Sequence, residues 1–104
     1  MSSSEQTQLP EIGHIERLEL YGTGEEPDSI IHNKAGSERI LAVYYKLALD
    51  CGGVTPDAAR QGLDLLGTLA DEARAHPGSH PEIDLLHTIA EEERYLAARI
   101  VKKA

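Results

Sequence analysis

EEERYLAARIVKKA, residues 91–104, is the stretch whose reading decides the fold. Leu96, Ala98 and Ile100 alternate with Tyr95, Ala97, Arg99 and Val101, the period-two pattern of a strand with two unlike faces. A helix also accommodates these residues, because Leu96, Ala97, Ile100 and Val101 would share a helical face. Topology separates the two readings. IERLELY (15–21) alternates in the same way, with Leu18 and Leu20 flanking Glu19, and Arg17 on the Glu19 side. SIIHN (29–33) reads as a second short strand. GTGEEPD (22–28) between them is turn chemistry, since two glycines and Pro27 continue neither helix nor strand. A hairpin alone is marginal in water, and a third strand completes a sheet on which helices can lie. The tail is therefore expected as a strand within residues 94–103.

Between hairpin and tail the apolar spacing changes to that of helices. In NKAGSERILAVYYKLALDCGG (33–53), Ile40, Leu41, Val43, Tyr44, Leu47 and Ala48 form one helical face. Ser37 stands at the N-cap position, Glu38 lies in the first turn, and Gly52-Gly53 supply a left-handed stop. Thr55-Pro56 opens a second helix, expected to run to about Ala75 on a face of Ala59, Leu63, Leu66, Ala70 and Ala73. Gly62 and Gly67 inside it each cost about 1 kcal/mol relative to Ala, and are read as points of close approach by another backbone. HPGSHP (76–81) is a break. Ser79 and Glu82 then have capping-box spacing for a third helix carrying Ile83, Leu86, Ile89 and Ala90. The expected architecture is α+β: an N-terminal β-hairpin, three helices, and a C-terminal strand completing a small three-stranded sheet, with the helices on one face. Residues 1–9 read as a polar disordered lead-in, and 10–104 as one domain.

Composition narrows the function classes. Hydrophobic residues make up 40% of 104, but Phe and Trp are absent and the single Met is the initiator. The core must come from Leu, Ile, Val, Ala and Tyr, close-packed and without a broad cofactor cavity, so no cofactor is expected. A net charge of −8 argues against nucleic acid and anionic membranes, both of which need clustered Lys and Arg. Cys51 is alone and makes no internal disulfide. The start MSSSEQTQLP lacks a basic and apolar leader pattern, and no apolar run approaches the ~18 residues of a membrane span. A cytoplasmic protein is expected.

Three blocks, IHNKAGSERILAVYYKLA (31–48), GGVTPDAARQGLDLL (52–66) and ARAHPGSHPEIDLL (73–86), carry a resemblance. Together they resemble a small bacterial family of uncharacterised proteins of about this length, over roughly residues 14–101. The resemblance implies a single bacterial cytosolic domain and brings no activity or site residues with it.

Candidate chemistry is sparse. Lys34, Gly36 and Ser37 precede a helix N-terminus, whose free N–H groups and dipole favour an anion. The turn is not a P-loop, because the glycine pattern ending in Gly-Lys-Ser/Thr is missing. His87 and Glu91 have the i,i+4 spacing of a metal-ligand pair, with His80 or His14 as a third donor. Cys51, at a helix C-terminus where the dipole raises a thiol pKa, reads as a small packed residue. The acidic runs 25–28 and 91–93 read as solvated faces. No catalytic residue is assigned, since no nucleophile elbow, Cys–His signature or dinucleotide fingerprint occurs. Tyr44 belongs to the core stripe, which leaves Tyr45 at its edge or outside, where an exposed tyrosine is an interface candidate. Tyr21 and Tyr95 fall opposite Leu20 and Leu96 and, with Val101, suit a face covered by a second subunit. The leading expectation is a non-catalytic protein-interaction or regulatory module, in the form of a homodimer. A small anionic-ligand binding protein comes second and a metal-dependent enzyme third.

Overall fold

A computed structural model describes residues 9–104 of the chain; the expected lead-in lies outside them except for Leu9, which is half-buried against the core. Strand β1 (Ile15–Tyr21) and β2 (Ser29–His32) form the antiparallel hairpin, Leu18 opposite Ile31 and Glu19 opposite Ile30. Helix α1 (Glu38–Cys51) follows, then β3 (Gly53–Val54), α2 (Pro56–Leu66), α3 (Thr68–Ala75), α4 (Pro81–Glu92) and β4 (Leu96–Lys102). The tail is thus a strand, paired antiparallel with β1 on one side and β3 on the other. Sheet order is β2-β1-β4-β3.

The sheet has four strands where three were expected. The added strand is Gly53–Val54, two residues long and too short to show a period in sequence. Gly52 alone makes the left-handed stop (φ 76°), donating its N–H to the Ala48 carbonyl. Gly53 then enters the sheet opposite Ala97. A Cβ at Gly53 would stand 2.8 Å from the Leu96 carbonyl oxygen and 2.8 Å from the Tyr95 hydroxyl. The Tyr95 ring lies over a bare glycine, a pairing that covers exposed backbone.

Four helices replace the expected three because Gly67 breaks the second (φ 59°, ψ −122°). A Cβ there would meet no atom within 4 Å, so the glycine serves backbone freedom and not close approach. Gly62 does serve close approach, though to side chains and not to another backbone: a Cβ would lie 3.0 Å from Leu47 and 3.3 Å from both Leu86 and Val43. Thr55 caps α2 as expected, its Oγ1 accepting from the Ala58 N–H at 3.0 Å. The Ser79–Glu82 capping box does not form. His80 is the cap residue of α4, and the Ser79 hydroxyl donates to the His76 carbonyl at 2.7 Å. Cys51 is exposed, not packed.

One cluster joins the inner sheet face (Leu18, Leu20, Ile31, Val54, Leu96) to the helices' buried side chains. Tyr44 is fully buried at its centre and donates to the Glu82 carbonyl at 2.6 Å, tying α1 to the first turn of α4. Burial pushes its pKa well above the ordinary tyrosine value, with the Glu82 charge adding to the rise, so the hydroxyl keeps its proton. Arg39 and Arg60 donate to the Leu65 and Ala90 carbonyls near the C-terminal ends of α2 and α4, satisfying oxygens those ends leave open. Among the described residues no helix is long and apolar enough to cross a membrane.

Gly53→Ala should destabilise the domain by about 1–3 kcal/mol in urea unfolding, because the new methyl meets a backbone oxygen that cannot turn aside. An unchanged midpoint would mean β3 does not hold to β4 as described.

Candidate functional site

Strand alternation gives the sheet a second face that the core cluster does not use. The register places Arg17, Glu19 and Tyr21 of β1 beside Val101, Arg99 and Ala97 of β4. His32 and Ile30 of β2 continue the rows formed by Arg17 and Glu19. Tyr95, one residue before β4, extends this face over Gly53. Of the three large apolar side chains exposed among the described residues, two are here, Ile30 (38%) and Tyr95 (54%).

The centre of the face is polar and internally satisfied. Glu19 is only 7% exposed, although no core lies over it. Tyr21 donates to its Oε1 at 2.7 Å, and Arg17 Nε donates to its Oε2 at 2.9 Å. Glu16 contacts the same arginine at 3.4 Å. The Tyr21 hydrogen bond, followed by that of Arg17, holds the Glu19 pKa below the ordinary 4.5. The same bond raises the Tyr21 pKa above 10.0, because the hydroxyl proton serves the carboxylate. Arg99 faces Glu19 directly across the pairing, exposed, and among the described residues it has no carboxylate within ion-pair distance.

Of the sequence-derived interface residues, the structure brings Tyr21, Tyr95 and Val101 to this one face. Tyr45 is elsewhere, on α1, half-buried with its ring edge-on to His14 (centroids 5.8 Å apart, 71°) and its hydroxyl 3.3 Å from His14 Nε2. Arg17, Glu19, Arg99 and Ile30 were not singled out, though the alternation that placed Tyr21 and Tyr95 also carries Arg17, Glu19 and Arg99. The pairing with Ile30 needed the register.

The turn holding Lys34, Gly36 and Ser37 is occupied by its own side chain. Gly36 (φ 91°) donates its N–H to Glu38 Oε1 at 3.0 Å, and the Ser37 hydroxyl makes no capping bond. Lys34 is exposed in the same turn.

His87 and Glu91 do come together on α4, but around a cation. Arg74 of α3 donates to Glu91 and, at 3.4 Å, to His87 Nδ1. His87 Nε2 donates to the Ala70 carbonyl at 3.2 Å, which fixes the neutral tautomer. Pro77, Ala73 and Asp84 complete an open cleft of about 220 Å³. Among the described residues no three His, Cys, Asp or Glu side chains are grouped to hold a metal ion.

A family model described as "Uncharacterized protein conserved in bacteria (DUF2322)" matches residues 3–100. No curated protein and no solved structure matches the chain.

Glu19's depressed pKa makes a signed prediction. Its contribution to stability is present above its unfolded value of 4.5 and disappears as pH falls through the lower folded value. Urea midpoints of wild type and Glu19→Gln should differ at neutral pH and converge on acidification below 4.5. Tyr21→Phe, which removes the larger cause of the shift, should move the acid loss of stability to higher pH. Parallel pH profiles for all three proteins would refute the network.

Proposed function

The chain belongs to the bacterial family DUF2322, and from that premise we propose that it works as a non-catalytic protein-interaction module. The open sheet face is its docking surface, filled by another protein or by a second copy in a homodimer. The observation that supports this reading is the composition of that face: Tyr21 and Tyr95, Arg17 and Arg99, and the apolar Ile30, Ala97 and Val101 on one continuous surface. Tyr and Arg are the residues that dominate binding energy in protein interfaces, and they lose little conformational freedom when already held by neighbours. Both edge strands are short, β2 with 4 residues and β3 with 2, which makes the face a better contact surface than either edge.

Light scattering of the purified chain at low and high concentration tests self-docking. Affinity capture with wild type and an Ile30→Glu/Val101→Glu variant tests docking of other proteins. The variant, still folded by circular dichroism, should lose either the dimer or the captured partner. If wild type is monomeric throughout and captures nothing that the variant does not, the face is not a docking surface.

A further inference from the structure

We propose that the occupant of the open sheet face is an acidic protein segment, held by its carboxylates on Arg99 with its apolar side chains on Val101, Ala97 and Ile30. This rests on the interaction reading above and adds the chemistry of the partner. The charge on the face selects it. Arg17 is committed to Glu19 and Glu16, and Glu19 is sealed beneath Arg17 and Tyr21. That leaves Arg99 at mid-strand opposite Glu19, exposed, in hydrogen-bond reach of the Tyr21 hydroxyl and, among the described residues, with no carboxylate at ion-pair distance. Lys103, next but one beyond Val101 and hydrogen-bonded through its N–H to the His14 carbonyl, adds positive charge at the end of the same row. The patch is thus cationic within a chain of net charge −8. A guanidinium on a flat surface accepts a carboxylate through two parallel N–H bonds, and the tyrosine and valine beside it exclude water from that pair.

A second copy is the poorer occupant. Face-to-face docking about a two-fold axis would bring two copies of the Arg99 and Lys103 charges into one interface, with each Glu19 already paired and buried. Docking the face on an acidic surface elsewhere on a second copy makes a head-to-tail contact, which builds rings or open chains and not a two-fold dimer.

The test uses the full chain, labelled with ¹⁵N, and two synthetic probes: a random copolymer of glutamate and tyrosine, and one of lysine and tyrosine. The acidic copolymer should shift the amide signals of Tyr21, Ala97, Arg99 and Val101, and the basic one should not. Added salt should weaken the effect, and Arg99→Glu should weaken binding by about tenfold or more, the loss of a charge-assisted bidentate pair. Arg99→Lys, which keeps the charge but not the fork, should fall between. Equal response to both copolymers, or shifts confined to other surfaces, overturns the proposal. Shifts of the same residues with protein concentration alone, without copolymer, would make a second copy the occupant. That outcome overturns the acidic partner but leaves the interaction module standing. A face silent to both probes and to concentration removes both readings. Melting temperatures of the Arg99 variants close to wild type keep a loss of binding distinct from a loss of fold.

Discussion

The antiparallel pairing of β1 with β4 is the constraint on which the rest depends. It joins the first ordered strand to the last, in a register running from Ile15 against Lys102 to Tyr21 against Ala97. Both neighbours of this pair are short, so neither β2 nor β3 would persist as a sheet without it. The helices have no platform until it forms, since Leu18, Leu20 and Leu96 are the inner-face residues against which α1 and α2 are buried. Closing so long a loop is entropically slow compared with forming the helices between. The strand register also shifts between Ile15 and Arg17, the one irregularity in the ladder, and Asn33 repairs it. Its amide donates to the carbonyls of Ile12 and Ile15 at 2.9 and 2.8 Å, tying the start of β1 to the end of the hairpin.

That pairing also sorts the side chains. A one-residue slip of β1 would exchange its faces, placing Arg17, Glu19 and Tyr21 in the core and Leu18 and Leu20 in water. The two rows are therefore coupled: the hydrophobic effect on the inner side fixes the register, and the register then sets Arg99 opposite Glu19 on the outer side. The tyrosine and arginine beside Glu19 make its burial tolerable, because each carboxylate oxygen receives a donor. Arg17, Glu19 and Tyr21 are thereby held to one another within the face.

Sequence reading reached the elements whose signal is periodic and local. β1 could be bounded to the residue, α1 to within one at each end, and the tail's strand followed from its alternation once the hairpin was recognised. The failures have a common physical origin. Two residues of β3 carry no period, and Gly53 resembled part of a helix stop because Gly52 before it truly is one. Gly67 inside an apolar stripe that continues on both sides looks like a tolerated helical glycine; its ψ of −122° depends on how α3 must turn to bring Ala70 and Ala73 onto the core. Capping was a partial guide: Ser37 does stand at the N-cap of α1 but makes no side-chain capping bond, and Ser79 turns its hydroxyl back to the His76 carbonyl while His80 takes the cap position of α4. For the candidate site, parity alone gave Tyr21, Tyr95 and Val101 a shared face. Tyr45 lies at the edge of the α1 stripe as its adjacency to Tyr44 implies, but that adjacency does not say what lies beside it, which is His14.

Charge placement separates the three surfaces on which chemistry was sought. Ahead of α1, the helix's own Glu38 folds back to accept from the Gly36 amide in the preceding turn. In the α3–α4 cleft, Arg74 stands between the two side chains a cation would need, and His87 has turned its remaining N–H to a carbonyl. Each of these is an electrostatic pair already closed within the chain, so a ligand would have to displace a neighbour held at high effective concentration. The sheet face differs in kind. Its carboxylate is closed by Tyr21 and Arg17, and the closure leaves one guanidinium over, in a setting of tyrosine and small apolar side chains that a partner can cover. Among the described residues Arg99 has no carboxylate at ion-pair distance, and this separates the sheet face from the α3–α4 cleft, where Arg74 is already paired with Glu91.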